Sequence, residues 1–163
     1  MSSPPSCEGW HTDSGRHAII GPTTAHAVPA HESEIRLTVP ARPENVALVR
    51  HVMSALADAL GLPRGLTDDM RLAVTEACTN VVRHAYEDRG TIDAVVCLRS
   101  DSIEVIVADE GRGIGPSPDT DGPGLGLPLI AALADSVEIE QAPSRGSRLK
   151  MRFQRPAPAL GLT

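Results

Sequence analysis

The sequence predicts an α/β fold, a two-layer sandwich in which helices cover one face of a mixed, mainly antiparallel sheet. Five short segments alternate apolar and polar residues as half-buried strands do, and three longer segments repeat apolar residues every three or four positions as helices do. Stretches rich in Gly and Pro separate them. A chain of 163 residues can bury one substantial core. We therefore expect one domain over residues 34–154, after a disordered amino-terminal extension (1–33) and before a flexible tail (155–163).

The first half of the domain predicts one strand and two helices. Residues 34–39 alternate and are stopped by Pro40, which is typical of an edge strand. Gly61 and Pro63 end the first helix, and Thr67 is the expected N-cap of the second. The two apolar stripes consist of Val46, Val49, Met53, Leu56 and Leu60 in the first helix and of Met70, Ala73, Val74, Ala77, Val81 and Ala85 in the second.

The second half predicts a hairpin, a loop, a short helix and two closing strands. Strands over 91–99 and 102–108 are joined by the turn at 99–102, and the Gly- and Pro-rich residues 111–123 form a loop. A third helix is expected over about 124–135, with Pro128 tolerated in its first turn because the backbone N–H groups there have no partner within the helix. Strands over 137–141 and 149–153 complete the sheet.

Composition excludes several classes of function. A net charge of -6 and an aromatic content of 2% argue against direct nucleic-acid binding, which relies on clustered Lys and Arg and on stacking rings. No apolar run is long enough for a signal peptide or a membrane span. Cys7, Cys78 and Cys97 have the spacing of neither a disulfide framework nor a zinc site, and we interpret Cys78 and Cys97 as small core residues. A cytoplasmic protein is the simplest expectation.

Three patterns of candidate site residues follow one another along the chain. On the second helix, Glu76, Asn80 and His84 are spaced by four and share one stripe at the edge of the apolar face. Such a stripe alone is also typical of an ordinary polar flank.

The second pattern follows the apolar strand that ends at Ala108. Asp109 stands at the strand end, with Gly111 and Gly113 directly after it, and these glycines permit a ligand to approach the backbone. A buried carboxylate needs hydrogen-bond donors, and the exocyclic amine of adenine is a suitable one, whereas guanine presents a carbonyl there. By itself this pattern is also typical of a glycine-rich turn.

The third pattern opens the last helix. Gly122-Pro-Gly124-Leu125-Gly126 places free backbone N–H groups and the positive end of the helix dipole where an anion such as a triphosphate can bind. Each pattern alone is weak evidence, but the ordered combination of all three is specific.

The combination resembles the GHKL superfamily, the Bergerat ATP-binding fold. Within it, the residues from Glu76 to Tyr86, from Asp109 to Ile114 and from Gly124 to Ile130 are most similar to the anti-sigma-factor serine/threonine kinases. The likeness extends over about residues 35–153.

The resemblance implies a role for each candidate residue. Asn80 would hold Mg²⁺ against the phosphates of ATP, Asp109 would bind adenine, and Glu76 would be the catalytic base. Ser147 stands where family members usually carry Thr near adenine, and His84 lies one helical turn beyond Asn80. The lid and phosphate cradle would be formed by Gly111, Gly113, Gly124, Leu125 and Gly126.

The same resemblance implies a kinase that phosphorylates Ser or Thr on a STAS-type anti-anti-sigma partner and otherwise binds a sigma factor, acting as a homodimer. Two alternatives remain open. One is a nucleotide-dependent module that sequesters its partner with little phosphotransfer. The other is an orphan histidine-kinase-like ATPase domain, against which stands the single helix predicted before residue 66, too little for a dimerisation hairpin.

Overall fold

The computed structural model describes residues 33–85, 90–111, 126–141 and 145–155. The elements run in the order β1 (Ser33–Pro40), α1 (Pro43–Ala59), α2 (Arg64–Asn80), a π-helical turn (Val81–Ala85), β2 (Thr91–Leu98), β3 (Ser102–Asp109), α3 (Gly126–Leu133), β4 (Ser136–Gln141) and β5 (Ser147–Gln154). Each predicted strand and helix is present, and the start of α2 lies four residues before the predicted one.

The five strands form one sheet in the order β1-β2-β3-β5-β4. All four ladders between these strands are antiparallel, so the described sheet contains none of the parallel pairing that the prediction of a mixed sheet allowed. β5 lies between β3 and β4, and its register places Ser147 opposite Asp109. The sheet order thereby joins two chain positions that are far apart in sequence.

The helices pack on one face of the sheet and enclose an aliphatic core. Val49, Met53, Val74 and Ile130 from the helices are fully buried, as is Phe153 of β5. One residue in two along β2, β3 and β5 faces this core, as the alternation in the sequence predicts. The predicted two-layer architecture is confirmed.

The start of α2 differs from the prediction. Pro63 occupies the N-cap position and the helix begins at Arg64, three residues before the predicted cap. Thr67 lies inside the first turn, where its hydroxyl donates to the Pro63 carbonyl at 3.2 Å. The ring of Pro63 fixes its own φ, so the helix can begin after it without a side-chain cap. The Thr67 hydroxyl has its hydrogen-bond partner within the helix instead.

The opposite face of the sheet, here called the outer face, carries a second and smaller cluster. Val95, Cys97 and Ile106 are buried there, separate from the core under the helices. Glu104 lies beside them and pairs with Lys150 at 3.3 Å and with Arg99 at 3.5 Å. Cys97 is buried, as its interpretation as a small core residue predicts.

Some predictions fall outside the described residues. These are the extension before Ser33, the tail after Arg155, most of the loop at 111–123 and the first two residues of the predicted third helix. Pro128 is the third residue of α3, in its first turn as predicted. Among the described helices, none combines the length and the apolar character that a membrane crossing requires.

Candidate functional site

Asp109 is the most completely fixed of the candidate residues. It ends β3 with 6% of its surface exposed. The Gly111 N–H donates to its Oδ1 at 2.8 Å, and the Ser147 hydroxyl donates to its Oδ2 at 2.5 Å. Both oxygens keep a further lone pair, because a carboxylate has about four acceptor positions in all. The carboxylate is therefore held in one orientation and can accept another hydrogen bond.

Gly146 allows Ser147 to lie beside Asp109, and sequence reasoning missed this glycine. Its φ is +96°, and a Cβ there would lie 2.2 Å from the Asp109 carbonyl oxygen. Only glycine tolerates that approach, which lets β5 begin at Ser147 directly beside Asp109. A signal was present in the sequence, since a lone Gly before a strand indicates a turn or a close backbone approach.

Asn80 meets the first residue of α3. A Cβ on Gly126 would lie 3.2 Å from both Nδ2 and Oδ1 of the Asn80 amide. The end of α2 and the start of α3 therefore touch, and Gly126 is the residue that leaves room for the amide. The first and third sequence patterns are brought together at the terminus where an anion would meet free N–H groups.

Gly111 joins the second pattern to the same helix. A Cβ on Gly111 would lie 1.9 Å from the Ala85 carbonyl oxygen, inside any permitted contact distance. Ala85 ends the π-helical turn that follows α2. The backbone after Asp109 is thereby fixed against the end of the helix that carries Glu76 and Asn80.

Glu76 and Asn80 lie on the continuous α-helical part of α2, so their spacing of four places them on one side of the helix as predicted. Both are half-buried at the edge of the core. His84 lies instead in the π-helical turn, where each residue advances less around the axis than in an α-helix. That His84 shares the stripe of Glu76 and Asn80 stays a prediction.

The other predicted cradle residues, Gly113, Gly124 and Leu125, fall outside the described part of the chain. Of the ten candidate residues, the structure brings five into direct contact in pairs or through shared hydrogen bonds: Asn80 with Gly126, and Asp109 with Gly111 and Ser147.

The residues present fit a nucleotide with its magnesium ion. Asp109 is a fixed, buried acceptor with free lone pairs, which suits the adenine amine. The Asn80 amide supplies a neutral oxygen, a ligand type that Mg²⁺ accepts, at the start of α3 where phosphates would gain N–H donors. The two ends of the site are joined by the contact of Gly111 with Ala85, so their separation is set by the rigid fold.

Comparison with known proteins defines the class to which this fold and site belong. Residues 39–153 match the family model described as the histidine kinase-like ATPase domain. The match covers most of the chain and contains all ten candidate residues, and the chain belongs to this family.

Within that class, the similar proteins include bacterial kinases named serine-protein kinase RsbW. The relative from Halalkalibacterium halodurans is 39% identical over 127 residues, which cover 68% of this chain and 78% of that protein. A relative from Bacillus cereus (strain ATCC 10987 / NRS 248) is 39% identical over 123 residues, covering 65% and 76% of the two chains.

A solved structure with the same fold contains the RsbU and RsbW domains of Rv1364c from Mycobacterium tuberculosis. It matches with a TM-score of 0.61 at 21% identity, over 79% of this chain and 35% of that longer chain. At this identity the likeness concerns the fold.

Proposed function

We propose that this chain is a cytoplasmic, Mg²⁺- and ATP-dependent protein kinase that phosphorylates Ser or Thr on a STAS-type anti-anti-sigma partner. The enzyme class follows from the relatives, and the chain is a serine-protein kinase. In its other state it would bind a sigma factor, as a homodimer, so that exchange between the two partners controls transcription. The partners and the dimer come from the resemblance to anti-sigma-factor kinases.

The observation that carries the proposal is the contact between Asn80 and Gly126. It brings a polar side chain, one helical turn after Glu76, to the start of the only described helix that follows a glycine-rich segment. Phosphoryl transfer depends mostly on positioning and on neutralising charge. This junction would supply a metal ligand in Asn80 and the N–H groups of the helix start, and Glu76 lies one helical turn before Asn80.

Each residue has a distinct task in the proposed reaction. Bound ATP supplies the phosphoryl group. Asp109, held by Gly111 and Ser147, accepts the adenine amine and selects against guanine. Asn80 would hold the magnesium ion, which would neutralise charge on the phosphates when bound, and Glu76 would accept the proton of the attacking hydroxyl.

The proposal is tested with purified protein, radiolabelled ATP, Mg²⁺ and candidate STAS proteins. We expect acid-stable label on a partner Ser or Thr, and a decrease in transfer of about 100-fold or more in Glu76→Gln, the range for loss of a general base. Nucleotide affinity should be retained in that variant, because the substitution preserves shape. Glu138→Gln, on the exposed strand β4, is the matched control.

The other outcomes of this experiment separate the alternatives. Nucleotide binding without transfer to any partner would favour the sequestering module. Acid-labile label on a histidine would favour a histidine-kinase-like activity. Unchanged transfer in Glu76→Gln would remove this residue from the role of base.

A further inference from the structure

Three large apolar side chains are exposed among the described residues: Leu48 with 45% of its surface, Leu72 with 42% and Ile139 with 45%. A single exposed leucine is ordinary on a protein surface. Leu72 differs from the other two in its position, because it lies on α2 four residues before Glu76, which itself precedes Asn80 by four. Residues at this spacing share one face of an α-helix, so Leu72 extends the stripe of the candidate site by one turn.

The spacing of Leu72 and Glu76 suits contact with two side chains of one partner. Side chains on an α-helix tilt towards its amino terminus, which directs Glu76 towards the turn of Leu72. The two residues are about 6 Å apart along the helix axis. Side chains on one face of a partner segment have a similar separation, roughly 6 to 7 Å in a strand and about 6 Å in a helix. A protein that presents a hydroxyl to Glu76 therefore presents a second side chain to Leu72.

The helix at the other end of the stripe is apolar as well. α3, whose first residue contacts Asn80, contains no polar side chain from Gly126 to Leu133. Ile130 is the only residue of this helix that is fully buried, and the exposed ones are Pro128, Ala131 and Ala132. A helix at a protein surface usually carries polar side chains on its exposed side. The surroundings of Glu76 are therefore apolar at both ends of the stripe.

The size and place of this surface identify its occupant. A stable interface between two copies of a chain takes about 800 Å² on each partner, or roughly 20 to 30 residues, far more than Leu72 and the exposed side of α3 provide. A kinase substrate, in contrast, has to dissociate after each transfer. A domain of about 100 residues has a radius of gyration of about 13 Å, so a protein whose hydroxyl reaches Glu76 also covers residues one helical turn away.

We propose that Leu72 is a specificity-determining residue of the kinase, and that it contacts an apolar side chain of the phosphoacceptor protein about 6 Å from the accepting hydroxyl. The contact rests on the proposed function, in which Glu76 accepts the proton of that hydroxyl. Burial of apolar surface on both sides stabilises the complex, whereas a charged side chain at the same place would lose hydration against Leu72. Acceptor proteins with an apolar residue at this distance are thereby selected.

The contact is tested by steady-state phosphotransfer to the STAS protein that accepts label from the wild type. Leu72→Gln removes apolar surface and nearly retains the helix propensity. We expect its KM for the STAS protein to rise about tenfold, while kcat and the affinity for ATP stay unchanged, because the contact is equally present before and during the chemical step. Leu72→Met conserves volume and apolar character and should stay within about twofold of the wild type.

Ile139→Gln is the matched control, since Ile139 is similarly exposed but lies on β4, and it should leave KM, kcat and ATP affinity unchanged. An unchanged KM in Leu72→Gln would overturn the inference. A decrease in its ATP affinity would do so too, because the residue would then act within the nucleotide site.

A change in the oligomeric state of Leu72→Gln, measured by analytical ultracentrifugation, would assign the surface to a second copy of the chain and would also overturn the inference. Failure of the proposed function gives a different result. The wild type itself would then transfer no phosphate to any STAS protein, and the role of Leu72 would fall with it.

Discussion

Asp109 receives its two hydrogen bonds from donors on different parts of the chain. Gly111 is two residues away and reaches Oδ1 within the same turn, whereas Ser147 comes from another strand and reaches Oδ2. A buried carboxylate without such donors would be strongly disfavoured. The two donors thus permit the charge to lie at the end of β3, where a nucleotide base can meet it.

Replacing the carboxylate of Asp109 should weaken nucleotide binding. In Asp109→Asn one carboxylate oxygen becomes an NH₂ group, which donates hydrogen bonds and cannot accept them. This group would face another donor, either one from the protein or the adenine amine. We expect the affinity for ATP to fall about 10- to 100-fold, the value of a hydrogen bond to a charged group. Isothermal titration calorimetry measures it, with Asp93→Asn as the control, since Asp93 accepts a hydrogen bond from Thr38 away from the site. Unchanged affinity in Asp109→Asn would rule out its role in binding adenine.

Ser147 should matter through its hydroxyl. Ser147→Ala removes the donor to Oδ2, and we expect a loss of roughly 5- to 10-fold in ATP affinity, corresponding to about 1 kcal/mol. Ser147→Thr keeps the hydroxyl and should bind ATP within about twofold of wild type if the extra methyl group is accommodated, since family members usually carry Thr here. If Ser147→Ala and Ser147→Thr weakened ATP binding equally, the size of the side chain, and not its hydrogen bond to Asp109, would determine the affinity.

At the scale of elements, the site depends on how α2 ends. The helix is α-helical to Asn80 and then continues as a single π-helical turn to Ala85, whose carbonyl lies against Gly111. Turns of this kind are rare and frequent at functional sites. Here the turn sets where the backbone after Asp109 passes the helix.

The junction of α2 and α3 gives a prediction that separates activity from stability. Gly126→Ala places a methyl group 3.2 Å from the Asn80 amide, which must move. We expect phosphotransfer to fall about tenfold or more, because small displacements of positioned groups have large effects on rate. The free energy of unfolding should change by less than about 1 kcal/mol, since Ala is a better helix former than Gly.

Gly65→Ala is the matched control for this substitution. Gly65 lies in the first turn of α2, and a Cβ there would meet nothing within 4 Å. The variant should keep full activity and gain up to about 1 kcal/mol in stability. Urea unfolding and the transfer assay, applied to both variants, measure the two effects. Full activity in Gly126→Ala would show that the position of the Asn80 amide is not critical.

For the molecule as a whole, the aliphatic core between helices and sheet controls the chemistry of the thiol of Cys78. Cys78 on α2 is fully buried, and this burial raises the pKa of the Cys78 thiol to about 12 from its ordinary 9.0. The neutral thiol therefore favours the folded state below pH 9, and this contribution is lost as the pH rises from about 9 toward 12.

Alkaline unfolding should consequently be shallower without this thiol. Between about pH 8 and about pH 10.5 the wild type should lose roughly 2 kcal/mol more stability than Cys78→Ala, from 1.36 kcal/mol per pKa unit. Urea unfolding at the two pH values measures the difference, and the other ionisable groups cancel because both proteins share them. An equal loss in both proteins would show that the thiol is not held neutral by the core.

Sequence alone determined the two layers, the five strands and three helices, and the residues at the strand and helix ends that carry the site. These features follow from the alternation of apolar residues and from local signals such as Gly and Pro, which act over a few positions. The identity of the ligand class was also readable, because Glu76, Asn80 and Asp109 occur in an ordered combination with the glycine-rich segment.

The tertiary structure alone decided how those parts meet. Strand order placed Ser147 beside Asp109, and close approaches at Gly111, Gly126 and Gly146 fixed the ends of helices and strands against one another. The π-helical turn and the start of α2 depend in the same way on packing and on distant partners. A local pattern contains no information about which distant backbone will lie within contact distance, so these features became visible only in the folded chain.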